Sequence, residues 1–330
     1  MATINSRIPF YITNESTGFG NLKVELYLYS ASVGTPPTSP QYTVRKDLYQ
    51  GNTETLSVDI SEFVSDFFSF TAPTLPSDNL ALDSGVHYKV DVVINGNAAT
   101  TYDAFYGYST TEPIASDKVL AVKTTKNLVE GSNQFLTADL TGMNVLRWET
   151  DGGDIVSKTI TGSDYSKIRV LNPLLSLANS KYVRVEAEKT GGGTPNFSRL
   201  YRLTCAFDKL YTVKFINRYG VWETIDMTGS RKDSLAVKGE TFRRLDTGNN
   251  QAYNKNGTGS FSLNTGWVEE SFKGVVQDLM LSESIYVSDG TEDVPVILKT
   301  NAQELFSQRK DKVINYSFNF NEAGYKISLV

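Results

Sequence analysis

The sequence predicts a mainly β protein: two successive β domains, then a β-rich domain that carries one helix. Three observations lead there. Apolar and polar residues alternate along most of the chain, which is the period of strands half-buried against a core. Clusters of Gly, Pro, Asn and Asp break that alternation at short intervals, as turns do. Only one stretch keeps the three-to-four spacing of an amphipathic helix.

In the first stretch, Leu22, Val24, Leu26 and Leu28 fall on one face of a strand. Farther on, Val86, Tyr88, Val90, Val92 and Ile94 do the same. Between them, Pro36, Pro37 and Pro40 fix φ and lack a donor, so residues 31–40 are expected to form an exposed loop, with a strand resuming near Gln41. Residues 58–68 predict a strand end and one short helical turn, capped by Asp59 or Ser61. Its Phe63, Val64, Phe67 and Phe68 would close the open end of the domain. A first domain over residues 1–112, ending near Glu112-Pro113, then holds about six or seven strands, the size of an immunoglobulin or fibronectin-type sandwich.

A second β domain is expected over residues 113–207, with strands at 120–122, 145–149, 167–171, 182–188 and 201–206. The clusters Asp151-Gly152-Gly153-Asp154 and Gly191-Gly192-Gly193-Thr194-Pro195 supply its turns. The third domain, residues 208–330, opens on a strand that buries Tyr211, Val213 and Phe215 and closes on one that aligns Ile314, Tyr316, Phe318 and Phe320. Inside it, Trp267, Val268, Phe272, Val275, Val276, Leu279 and Met280 predict the helix, near 266–281. Asn264 or Thr265 would cap it, and Glu269 and Glu270 suit its positive end. No short-period repeat is present, although the two successive β domains are compatible with distant copies of one architecture.

Composition narrows the function. Of 330 residues, 40% are hydrophobic and 21% charged, enough apolar material for real cores and too little charge for a disordered chain. Residues 1–10 do not resemble a signal peptide, and no segment approaches the roughly 20 apolar residues of a membrane helix, so a protein kept in the cytoplasm at first, away from membranes, is expected. A net charge of −5 argues against a large basic footprint on nucleic acid. Arg243-Arg244 and Arg309-Lys310 are the tightest positive pairs, and pairs of this size are ordinarily solvated surface.

Catalytic and metal-binding patterns are sparse. The chain lacks G-x-S-x-G, a P-loop, a dinucleotide glycine fingerprint and H-E-x-x-H. With one cysteine, Cys205, and one histidine, His87, no disulfide or ordinary Cys/His zinc site is expected, and neither is a cofactor. Alternation places His87 opposite Val86 and Tyr88, as a surface or edge residue, and Cys205 in an apolar stretch, as a small buried thiol. Asp151 and Asp154 flank two glycines in what reads as a hairpin turn, without the spaced ligands of a calcium loop. Two carboxylates would suffice for a glycosidase, but spacing alone cannot identify such a pair.

Aromatic residues are the remaining asset. Tyr102, Phe105, Tyr106 and Tyr108, with Tyr219 and Trp222, are dense enough to serve as core or contact surface, and Tyr106, Tyr108, Tyr219 and Trp222 are the candidates for facing a partner.

Several separated stretches are familiar. These are Arg7-Ile8-Pro9-Phe10-Tyr11-Ile12-Thr13, Val58-Asp59-Ile60-Ser61-Glu62-Phe63-Val64 and Tyr102-Asp103-Ala104-Phe105-Tyr106-Gly107-Tyr108. In the third region they are Tyr211-Thr212-Val213-Lys214-Phe215-Ile216-Asn217-Arg218-Tyr219-Gly220, Leu263-Asn264-Thr265-Gly266-Trp267 and Lys312-Val313-Ile314-Asn315-Tyr316. Together they resemble structural proteins of tailed bacteriophages that infect Bacteroidetes, including the crAss-like group. The resemblance implies a virion role in tail or neck and carries over no catalytic residue. It is weakest over residues 113–207.

The expected function is therefore a ring subunit of a phage tail or neck, assembled in the host cytoplasm, that joins portal-proximal components to the tail hub. Its partners would be copies of itself and other tail or neck proteins, with no specific nucleic acid, although DNA could pass through the assembled channel. Loops 31–40, 188–195 and 246–259 are the expected docking elements. The alternatives are a glycan- or receptor-binding module that displays Tyr and Trp, and, below it, a carboxylate-dependent glycoside hydrolase.

Overall fold

The computed structural model of the chain describes residues 3–17, 21–31, 34–47, 53–76, 80–82, 86–109, 119–160, 165–189, 195–205, 209–246, 248–303, 305, 313–322 and 326–327. The described residues are mainly β, with several sheets, two short helices and a 3-10 turn that leads into the second. The boundary at Glu112-Pro113, the turn at Gly191 to Thr194 and the pair Arg309-Lys310 lie outside the described residues.

The first region contains β1 (Thr3–Asn5), β2 (Tyr11–Thr17), β3 (Asn21–Ser30), β4 (Tyr42–Asp47), β5 (Thr53–Asp59), α1 (Ser61–Ser65), β6 (Leu80–Leu82), β7 (Tyr88–Ile94) and β8 (Thr100–Phe105). A five-stranded sheet runs β1-β8-β7-β3-β4, and β2 pairs with β5. Both contribute to one core: Leu22, Val24, Leu26 and Leu28 meet Ile12, Leu56 and Val58. That is the face alternation predicted for β3. The Asp59 carboxylate accepts the Phe10 and Ser61 amides at 3.0 Å each, which turns the chain from β5 into α1. Val64 is buried there, and Phe63, Phe67 and Phe68 pack over the core.

The second region contains β9 (Lys126–Val129), β10 (Phe135–Asp139), β11 (Val145–Thr150), β12 (Ile155–Thr159), β13 (Tyr165–Arg169), β14 (Tyr182–Glu188) and β15 (Phe197–Thr204). One sheet runs β12-β11-β14-β15-β9, and the other runs β10-β13-β6. Between them lies a core that includes Leu146, Ile168, Val183, Val185 and the fully buried Trp148, whose indole N–H donates to the Arg169 carbonyl at 2.9 Å. Strand β6, from the first region, pairs with β13 (Lys167↔Ala81) and so completes a sheet of the second. Residues 120–122 form no strand, contrary to the sequence expectation. The Leu120 amide donates to the Thr137 carbonyl at 2.9 Å while its side chain turns into the junction between regions.

The third region contains β16 (Tyr211–Ile216), β17 (Trp222–Met227), β18 (Lys232–Arg243), β19 (Asn250–Glu269), α2 (Lys273–Leu281), β20 (Ile285–Ser288), β21 (Asp293–Leu298), β22 (Val313–Glu322) and β23 (Lys326–Ile327). Its sheet runs β17-β16-β20-β21-β22-β19-β18, with β23 beside β19. Phe272, Val275, Val276 and Leu279 of the helical segment pack onto Val213, Phe215, Tyr316 and Phe318.

The helix starts later than the apolar spacing suggests. Residues 267–269 continue β19, paired Trp267↔Asn315 and Val268↔Ile314, and Trp267 is 55% exposed instead of core. The register shifts between Asn264 and Trp267, where Gly266 has φ +69°. Asn264 Oδ1 accepts the Gly266 amide at 2.7 Å and Thr265 Oγ1 accepts the Tyr316 amide at 3.1 Å, so both residues cap a β-bulge and not a helix. A Cβ at position 266 would also collide with the Thr228 hydroxyl. Gly266→Ala is expected to lower stability by at least about 2 kcal/mol in urea denaturation, from the left-handed conformation and the collision together.

Two further expectations are corrected. His87 is buried, not at a surface: its ring stacks on Phe105 at 4.9 Å, meets the edge of Tyr165 at 4.6 Å, and Nε2 lies 2.9 Å from Asp103 Oδ1. Alternation fails there because the second region covers the face that a lone sheet would leave wet. Cys205 is exposed, not buried, because the pairing of β15 with β9 ends at Thr204↔Val129 and the thiol lies past the sheet.

Candidate functional site

The four aromatic candidates come together, but within the molecule. Ile216, Val221 and Trp222 of the third region meet Val86 and Phe105 of the first and Leu120 and Phe135 of the second in one apolar junction. Trp222 is 3% exposed and lies edge-on to Phe70 at 6.3 Å and to Tyr286 at 5.8 Å, so it faces no partner from the surface. Tyr106, Tyr108 and Tyr219 are half-buried at the rim of this junction.

Polar contacts lock the same seam. Tyr106 donates to Glu283, and Tyr108 donates to Asp278 Oδ1 at 2.8 Å. Arg7 pairs with Glu283 at 2.9 Å and stands 5.2 Å from the centre of the Tyr108 ring. The Arg218 carbonyl accepts the Tyr108 and Ser109 amides at 2.8 and 3.0 Å. Two glycines permit this approach. A Cβ on Gly107 would lie 2.8 Å from the Arg218 carbonyl oxygen, and one on Gly220 (φ +78°) would collide with the backbone of Tyr106 and Gly107.

Between the second and third regions the contacts are buried and charged. Strand β17 lies against β9 and β10, and every residue in it is buried. Lys126 Nζ sits 2.6 Å from Glu223 Oε1, and Asn217 Nδ2 donates to Glu223 Oε2 at 2.7 Å. The Lys126–Glu223 contact is one of charge without aligned hydrogen-bond geometry. Thr224 exchanges two hydrogen bonds with the Phe135 backbone, at 3.0 and 2.9 Å. Asp226 accepts from the Val129 amide, Ser132 and Thr212 at 3.0, 3.0 and 2.9 Å. Burial pushes its carboxyl above the usual range against the pull of those donors.

Asp278, fully buried on α2, is a second acid that burial raises. Burial, helped by the negative charge of Glu223, raises its carboxyl to about 6 despite the Tyr108 hydroxyl and the Arg218 guanidinium, 2.8 Å away. A folded-state value above the unfolded one adds stability that is complete below about pH 4 and is lost as pH rises through about 6. The melting temperature is therefore expected to fall between pH 4 and pH 7, by an amount equivalent to roughly 2 kcal/mol. Asp278→Asn should flatten that slope, as thermal scans at matched ionic strength would report.

Asp151 and Asp154 act as turn residues. Asp151 Oδ1 accepts the Lys181 and Tyr182 amides at 2.7 and 2.9 Å, and Asp154 Oδ2 accepts the Ser176 amide at 2.6 Å. Backbone fixation is their evident work.

The most distinctive surface is one that the sequence reading caught only as the polar loop 246–259. Strands β18 and β19 form a long antiparallel ribbon, paired from Lys232↔Ser262 out to Arg243↔Asn250, with a register shift between Lys238 and Glu240. All of β18 is exposed, and it stands at the end of the sheet, so no described strand pairs with its outer edge. Leu235 and Val237 share the face of Phe261, opposite Gly259 and Gly257, and so extend the core face of the sheet into solvent. Phe242 and Tyr253 meet edge-to-face at 5.6 Å farther out, and Leu245 is fully exposed at the tip.

No family model, curated protein or solved structure matches the chain. The functional reading therefore rests on the ribbon and the seam. Of the twelve large apolar side chains exposed among the described residues, five lie on the ribbon, which concentrates the uncovered hydrophobic surface on one element. Covering Leu245 is worth about 1.5–3 kcal/mol, and each of the other four, already partly covered, about half of that. A two-stranded hairpin has little stability of its own, and a long open edge is a template for pairing.

Proposed function

We propose that the chain is a noncatalytic structural subunit of a virion, part of a ring in the tail or neck of a tailed bacteriophage that joins portal-proximal components to the tail hub. The observation that carries this reading is the exposed ribbon with its five apolar side chains and open edge, a surface suited to burial in an assembly. The seam supports it as well, because three regions bound by Lys126–Glu223, Arg7–Glu283 and a shared apolar junction make a unit able to transmit load. In this reading residues 1–112 and 113–207 are two β-sandwich modules of immunoglobulin or fibronectin type, and residues 208–330 are the assembly domain. The two sheets that meet across one core in each of the first two regions favour that division. Tyr106, Tyr108 and Tyr219 serve the joint between modules, with their exposed edges as minor contacts. Partners are copies of the chain and neighbouring tail or neck proteins.

Among the described residues no helix is long and apolar enough to cross a membrane. Antibody raised against the chain, applied to tailed particles from the source culture, is expected to mark one level of the neck or tail. Label confined to the unassembled fraction would contradict the virion role.

A glycan-binding reading has one observation in its favour, a small cleft of about 160 Å³ lined by Glu149, Thr150, Asp151, Tyr182, Arg184 and Leu200. It holds one partly exposed aromatic ring beside charged groups, and a glycan array without hits would remove it.

A further inference from the structure

The occupant of the ribbon follows from charge, given the assembly reading above on which this inference rests. Residues 232–259 hold five basic and three acidic side chains, so the ribbon carries +2 within a chain of −5. The rest of the chain then carries −7. Arg243 and Arg244 stand at the tip, beside Leu245.

We propose that the ribbon docks on the body of a second copy of this chain, by a heterologous contact in which the donor's ribbon and the acceptor's body are different surfaces. Two ribbons brought together about a two-fold axis would oppose like charge, whereas a ribbon laid on an acidic body gains from complementarity and still buries Leu235, Val237, Phe242, Leu245 and Tyr253. The outer edge of β18, with which no described strand pairs, offers backbone groups along the same contact. A head-to-tail contact leaves each copy with one ribbon to give and one body to receive. It therefore closes into a ring or runs on as a filament and does not stop at a dimer.

The test uses a shortened chain in which residues 238–256 are replaced by Asn-Gly, joining Val237 to Gly257 at positions already paired across the ribbon. This chain loses the outer part of the donor, with Phe242, Leu245, Tyr253 and the tip arginines, and keeps the acceptor. Fluorescently labelled and mixed with wild-type protein, it is expected to enter wild-type assemblies and cap them, shifting the sedimentation profile to smaller species as its proportion rises. Alone it should be monomeric with an unchanged melting temperature. As a second variant, K238E/R243E/R244E keeps the ribbon and should weaken self-association at least tenfold.

Wild-type assemblies that never take up the shortened chain would overturn the heterologous contact while leaving the ring reading intact, and so would a shortened chain that assembles alone. Wild-type protein that stays monomeric at every concentration would overturn both. If such a monomer retained duplex DNA and lost it on shortening, the basic ribbon would belong to nucleic acid instead.

Discussion

Replacing Lys126 with methionine is expected to destabilise the protein by about 3–5 kcal/mol, because it leaves the Glu223 carboxylate buried without its cation. Lys126 and Glu223 are each nearly inaccessible, and the carboxylate keeps only the Asn217 amide as a strong donor. The cost lies in the stranded charge, so the double variant K126M/E223Q should lose clearly less than Lys126→Met alone. Urea denaturation of the three chains measures this directly. Equal losses in the single and double variants would mean that the seam is held by shape and apolar contact, with the ion pair contributing nothing of its own.

Trp222→Ala carries the second large effect. Removing an almost fully buried indole from the junction of three regions should cost about 3–5 kcal/mol. It should also loosen all three regions together, since Phe70, Phe105, Phe135 and Tyr286 line the same space. A residue reserved for a partner would behave in the opposite way, with stability unchanged and only association reduced. The two responses are separated by measuring melting temperature and sedimentation on one sample.

These residues also mark where sequence reasoning succeeds and where it stops. The alternation of Leu22 to Leu28 and of Tyr316 to Phe320 is legible because each strand buries one face, and a period of two records that. The apolar stripe Phe272, Val275, Val276, Leu279 is legible for the same kind of reason. Its start was not, because Gly266 introduces a bulge that extends β19 by three residues and puts Trp267 in solvent. Strand β17 was opaque from the opposite side. Glu223, Thr224 and Asp226 are polar, yet they are buried against partners about 90 residues earlier in the chain, and no local pattern encodes such partners. His87 failed by the same route.

The ribbon was half legible. Its polar, glycine-rich outer arm read as a loop suited to docking, which described its exposure and missed its pairing. Residues 246–259, with Gly248, Gly257 and Gly259, read as a docking loop, whereas the register runs unbroken on either side of one bulge. Leu235 and Val237 alternate with polar neighbours as any half-buried strand would, and only the structure reveals that nothing in the described chain covers them.

The mass of the purified wild-type protein in solution, with negative-stain images of the same sample, tests the central claim most directly. The account predicts a concentration-dependent passage from monomer to closed rings of uniform size. A strict monomer across the whole concentration range, with no ring in any image, would contradict it.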